Sequence, residues 1–131
     1  MATAEDAHLI VSLEQLRVLC GIPEANSCFW SDEFPTDYDQ FKVRYPRGSD
    51  GVRLLETIAG FAETVALLWK HKVLDEQLLF DWLSFHYAWA RAEGVLHGLR
   101  TDAGQPDLWE NFEALADAQA AARANRTSAT D

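Results

Sequence analysis

Between Asp75 and Arg100 apolar residues recur at helical spacing on two faces at once. At about 100° per residue, Leu78, Trp82, Phe85, Trp89, Leu96 and Leu99 share one face. Phe80, Leu83, Tyr87, Ala90, Gly94 and Gly98 share a second, and only Asp81, Ser84 and Arg91 mark a clear polar edge. A helix that is apolar almost all round is a buried one. This segment is therefore expected as one long helix, either central to a bundle or part of an oligomer interface. Ala90, Gly94 and Gly98, spaced by four, leave room for another backbone to come close. Together with Phe80, Leu83 and Tyr87 they form a candidate helix-packing or dimer face. The alternative for the two glycines is that they merely weaken the helix, by about 1 kcal/mol each.

Three further helices are expected around it, and strand signals are nearly absent. The first covers Glu5 to Cys20, with Leu9, Leu13, Leu16 and Cys20 on one face and Gly21 and Pro23 as its stop. A shorter version starting at Ser12 is open, because Ser12 and Gln15 form a capping-box pair. Residues 21–48 hold three of the four prolines but also Phe29, Trp30, Phe34, Tyr38, Phe41 and Tyr45. A solvated linker does not carry that aromatic load, so the connection is read as packed. One short helix is expected in it, from about Thr36 to Val43 with Thr36 as cap. Asp50 to His71, capped by Ser49, reads as an amphipathic surface helix, with Leu54, Ile58, Phe61, Val65 and Leu68 as its stripe. Pro106 suits the first position of the last helix, which is expected to reach about Arg123 before a polar, frayed tail from Asn125 to Asp131.

The expected fold class is thus all-α: a four-helix bundle-like single domain over residues 1–123, with one additional short helix in a long aromatic-rich connection and a tail at 124–131. Of the 131 residues 48% are hydrophobic and 11% aromatic, a composition that argues against global disorder. Eleven Lys and Arg stand against 21 Asp and Glu, a formal charge of −10. A protein that neutralises phosphates needs a basic face, so neither nucleic acid nor an anionic membrane is an expected partner. Met1 to Asp6 carries acids and no Lys or Arg, and no apolar leader segment follows. The most apolar stretch, Val52 to Trp69, contains Arg53, Glu56 and Glu63, a poor membrane span. The expected localisation is cytoplasmic, where Cys20 and Cys28 would be reduced thiols, with a disulfide between them as the alternative.

The stretch from Leu55 to Asp117 resembles a known family, the bacterial domain of unknown function numbered 4760. The resemblance is carried by LETIAGFAE at Leu55–Glu63 and ALLWKHKVLDEQLLFDWL at Ala66–Leu83. Trp89, Leu99-Arg100 and the GQPDLWENFEALAD run from Gly104 complete it. It implies a small all-helical bacterial protein and no activity, because the family has none assigned; its motifs are aromatic and structural rather than chemical.

The best polar candidate is His86, Glu93 and His97, near the first apolar face of the long helix. Glu93 and His97 are one turn apart and could share a proton or a metal ion. His86 is two turns from Glu93, about 10 Å along the axis, so one ion could not take all three without help from another helix. The structural alternative is hydrogen bonding inside the bundle. No catalytic residues, cofactor site or metal set are assigned: HExxH, a phosphate-cradling glycine loop and a nucleophile elbow are all missing. A di-iron bundle would need two Glu-x-x-His motifs, and only Glu5 to His8 has that spacing. Charge placement is the other signal. Val18–Phe41 and Thr101–Ala122 each hold five acids and no Lys or Arg, whereas Lys42, Arg44, Arg47 and Arg53 cluster between them. These runs are either a solvated surface or a steering surface for a basic protein. The leading expectation is a non-catalytic protein–protein interaction module, with a protein partner or a homodimer through the second face of the long helix. The alternatives are an acidic immunity- or antitoxin-type protein neutralising a basic partner, and a small-ligand or metal binder using His86, Glu93 and His97.

Overall fold

Thr3 opens the first helix. Its hydroxyl accepts from the Asp6 N–H at 3.2 Å while the Asp6 carboxylate accepts from the Thr3 N–H at 2.8 Å, a reciprocal capping box. α1 therefore spans Ala4–Leu19, with Ser12 in its interior rather than at its cap. Gly21, at φ 78°, ends it as expected. Pro23 does not then lead into a loop. It lies in the first turn of α2 (Ile22–Phe29), a helix the sequence reading lacks, where its missing N–H costs nothing. α3 is Tyr38–Arg44, capped by Asp37, whose carboxylate accepts from the Gln40 N–H at 3.1 Å. The cap is thus one residue beyond the expected Thr36. α4, Asp50–Lys70, matches its expected bounds almost to the residue, although the Ser49 side chain makes no cap bond.

The expected rod from Asp75 to Arg100 is broken. α5 (Glu76–Trp82) ends at Leu83, which is extended at φ −136°, ψ 150°, and α6 (Phe85–Ala103) starts after Ser84. The break exposes carbonyls and an N–H that an unbroken helix would have paired internally. They are satisfied by Gln119 of the last helix, which is fully buried. Its Nε2 donates to the carbonyls of Phe80 (3.2 Å) and Leu83 (2.7 Å), and its Oε1 accepts from the His86 N–H (3.1 Å). Arg123 adds bonds to the Phe80 carbonyl (3.1 Å) and the Ser84 hydroxyl (3.3 Å). One amide side chain thus closes both ends of a chain corner.

α7 spans Glu110–Thr130, which corrects both of its expected ends. Pro106 lies in the preceding turn instead of at the first helical position. The first amides of α7 are capped from another helix: the Glu63 carboxylate of α4 accepts from the N–H groups of Asn111 (2.7 Å) and Phe112 (3.0 Å). At the far end, the segment expected as a frayed tail from Asn125 stays helical to Thr130. The computed structural model describes residues 1–130, so Asp131 lies outside it. Among the described residues there are seven helices and no strand, an all-α fold with more helices than the four plus one expected.

The core lies where α7 packs against both α4 and α6. α4 buries Leu55, Ile58, Ala59, Ala62, Val65 and Ala66, and Phe112, Leu115 and Ala116 of α7 join it. α2 seats on α4, α1 on α2 and α3 on α6. Arg91 ties the turn after α2 to α6: it donates to the carbonyls of Phe29 (2.6 Å) and Ser31 (2.7 Å), with its guanidinium over the rings of Phe29, Trp30 and Phe34. Among the described residues no helix is long and apolar enough to cross a membrane.

Candidate functional site

α3 is short, and its placement depends on two glycines. Helical spacing sets Tyr38, Phe41, Lys42 and Tyr45 on one face. Phe41 goes into the core. The two tyrosine rings settle over backbone that lacks a side chain. A Cβ added at Gly98 of α6 would meet the Tyr38 ring at 2.2 Å, and one added at Gly51 of α4 would meet the Tyr45 ring at 2.1 Å. Any other residue at either position would push a ring aside. The Tyr38 hydroxyl donates to Asp102, near the end of α6. Partial burial, reinforced by that carboxylate, pushes the Tyr38 phenol up to about 12.

This arrangement encloses a cleft of about 880 Å³ between α3, the first turns of α4, the end of α6 and the loop before α7. Its walls carry the aromatic rings of Tyr38, Phe41, Tyr45 and Trp109 and the apolar side chains of Val52, Leu99 and Leu108. The loop is held in place by Arg100, whose side chain is almost wholly buried. Arg100 donates to the Leu108 carbonyl at 2.6 Å and pairs with Glu113 at 2.8 Å, with its guanidinium over the Trp89 ring. Trp109 has a left-handed backbone at φ 61°, a conformation that costs a bulky residue about 1–2 kcal/mol. The Arg100 and Glu63 bonds on either side of it keep that conformation in place.

Four charged side chains also line the cleft. Lys42 lies 3.7 Å from the exposed Asp39 and 4.8 Å from the centre of the Tyr38 ring. Asp102 is engaged by Tyr38. Arg47 and Glu56 are exposed, and among the described residues neither makes an ion pair. Of the other cations in the expected basic cluster, Arg44 pairs with Glu33 at 3.4 Å and Arg53 with Asp50 at 3.6 Å.

His86, Glu93 and His97 go to different tasks. His86 is half-buried, with Nδ1 3.1 Å from Gln119 Oε1 and its ring beside Tyr87. His97 is exposed, 3.3 Å from Arg100 and edge-on to Trp89. Glu93 is exposed on the wall of a shallow groove with Trp30 and Tyr87. Among the described residues no three His, Cys, Asp or Glu side chains are placed to hold a metal ion. Cys20 and Cys28 are free thiols, and Cys28 Sγ lies 3.8 Å from the Tyr45 hydroxyl.

The second face of the expected long helix is divided by the break. Phe80 is buried on α5 and Leu83 is half-buried in the corner, while Tyr87 stays 59% exposed on α6 beside the exposed Ala90. The close backbone approach expected at the small residues comes from this chain itself. The Thr36 carbonyl would lie 3.0 Å from a Cβ on Gly94, and the Tyr38 ring covers Gly98.

Fold and cleft together describe an all-helical protein with an aromatic cleft assembled from three helices and a strained loop. The chain matches the Domain of unknown function (DUF4760) over residues 24–119, 96 of its 131 residues, and belongs to that family. The matched span starts ahead of the Leu55–Asp117 motifs and takes in most of α2, all of α3 and every residue that lines the cleft. No curated protein and no solved structure matches the chain.

Proposed function

We propose that this chain is a non-catalytic binding module that works through the aromatic cleft under α3, not through one face of a single long helix. The observation that carries the reading is the cleft itself. At about 880 Å³ it falls in the size range of small-molecule sites, and its lining is mostly apolar and aromatic with a few charged groups. Histidine, cysteine and serine do not line it, and its Tyr38 phenol is held in the protonated form, which supports a seat over a nucleophile with its base. The cleft is also built at a cost, through two glycine seats and a strained tryptophan. Local departures of this kind cluster at functional positions.

Ligand-observed NMR with a library of small aromatic fragments tests the reading. Ala103 lines the cleft and is exposed at the end of α6, so Ala103→Trp fills the mouth without touching the core. Fragments that bind the wild-type chain are expected to lose binding to this variant. Fragments that bind both alike, with circular dichroism unchanged, would move the working surface elsewhere.

A further inference from the structure

The charges around the cleft are not evenly spread. Four of the chain's eleven cations, Lys42, Arg44, Arg47 and Arg53, lie within twelve residues at the α3–α4 corner of an otherwise acidic molecule. Two of them line the cleft. Among the described residues the only acid within ion-pair reach of Lys42 is the exposed Asp39 at 3.7 Å, a weak pair, and Arg47 has no ion pair. The N-terminus of α4 lies at the same corner. Its macrodipole adds positive potential, and the Ser49 side chain does nothing to cap its amides. From this corner the wall continues over Val52, Leu99, Leu108 and Trp109, all apolar. Two carboxylates, Asp102 and Glu56, balance these two cations in the lining, so the preference rests on placement and not on net charge. Asp102 keeps its charge but has an oxygen taken by the Tyr38 hydroxyl, and Glu56 lies one turn beyond Val52, farther from the start of α4.

We infer that the cleft takes an amphipathic anion: an apolar or aromatic body ending in a carboxylate or a phosphate. Arg47 and Lys42 receive the head group, since a guanidinium fork matches either oxyanion. Val52, Leu99, Leu108 and Trp109 cover the body. This rests on the cleft being the working surface and adds the class of ligand it selects.

The test uses the full chain and three probes of one shape: 6-phenylhexanoate, its neutral amide and 6-phenylhexylamine. Binding is read by calorimetry and by the fluorescence of Trp109 against a Trp109→Phe control. The carboxylate is expected to bind at least about tenfold tighter than the amide, as one charge-assisted hydrogen bond supplies. The amine is expected to bind more weakly still. Arg47→Gln, at an exposed residue with no structural bond, should leave the fold unchanged and remove most of the preference for the acid. The phenylhexyl phosphate monoester separates the two head groups; either oxyanion on its own, if it shows the Arg47 dependence, supports the inference. Binding of neither oxyanion more tightly than the amide, tighter binding of the amine, or a preference that survives Arg47→Gln overturns the anion assignment while leaving the cleft as a seat. Binding of no probe, or binding that Ala103→Trp does not reduce, overturns the cleft reading as well.

Discussion

Replacing Gln119 by Met tests the largest departure from the expected architecture. Methionine keeps the length of the side chain and fills the same space, so the core suffers little change in volume. What it removes is hydrogen bonding. The Phe80 carbonyl retains Arg123 as a donor at 3.1 Å. The Leu83 carbonyl and the His86 N–H lose the Gln119 bonds that close the corner, at 2.7 and 3.1 Å. Each buried polar group left without a partner costs about 1–3 kcal/mol. Both residues are half-buried, which lets water recover part of this, so the expected loss is about 2–4 kcal/mol. Against a total stability of about 5–15 kcal/mol for a domain, that is a large fraction. For a chain of this size it lowers Tm by roughly 3–5 °C per kcal/mol. Urea unfolding gives the free energy, and hydrogen exchange at the His86 amide locates it. A Gln119→Met protein within about 0.5 kcal/mol of wild type, with the His86 amide still protected, would show that the corner is held by something other than this side chain.

Further outcomes follow from the geometry. Gly60→Ala in the open interior of α4 should stabilise by about 1 kcal/mol, since nothing lies within 4 Å of the new Cβ. Gly98→Ala should instead lower Tm, because the Tyr38 ring must move and the strain outweighs the helix gain. Glu63→Ala should cost about 1–2 kcal/mol by uncapping α7, and Glu63→Gln, which keeps one acceptor oxygen, should cost less in the same thermal melts. The Tyr38 phenol is raised from 10 to about 12, so the fold favours its protonated form. The stability this supplies is complete below pH 10 and drains away between pH 10 and 12. The Tm advantage of wild type over Tyr38→Phe should shrink across that window and stay constant below it.

The parts legible in the sequence are those governed by local signals. α4 is bounded by an apolar stripe and a basic end, and both survive in the structure. α3 lies within a residue or two of its expected span because an acceptor side chain and an aromatic face announce it. α2 was missed because Gly21 and Pro23 read as a stop, although a proline in the first turn is equally a start. The break at Leu83–Ser84 carries no glycine or proline, and the apolar spacing runs through it without interruption. The side chain that satisfies it is Gln119, 36 residues from Leu83 along the chain and invisible to any local pattern. The start of α7 was misplaced for the same reason, since its cap comes from Glu63 on another helix. The cleft was half legible. The aromatic load of residues 21–48 and the basic cluster at residues 42–53 are evident, whereas the way Gly51 and Gly98 seat two rings depends on packing between helices that are far apart in sequence.

The corner between α5 and α6 depends on a residue synthesised near the end of the chain. While only the first hundred or so residues have left the ribosome, the carbonyl of Leu83 and the amide of His86 lack the amide group that pairs with them in the finished protein. The last helix therefore does more than cover a finished surface: its arrival supplies the bonds that close the bend.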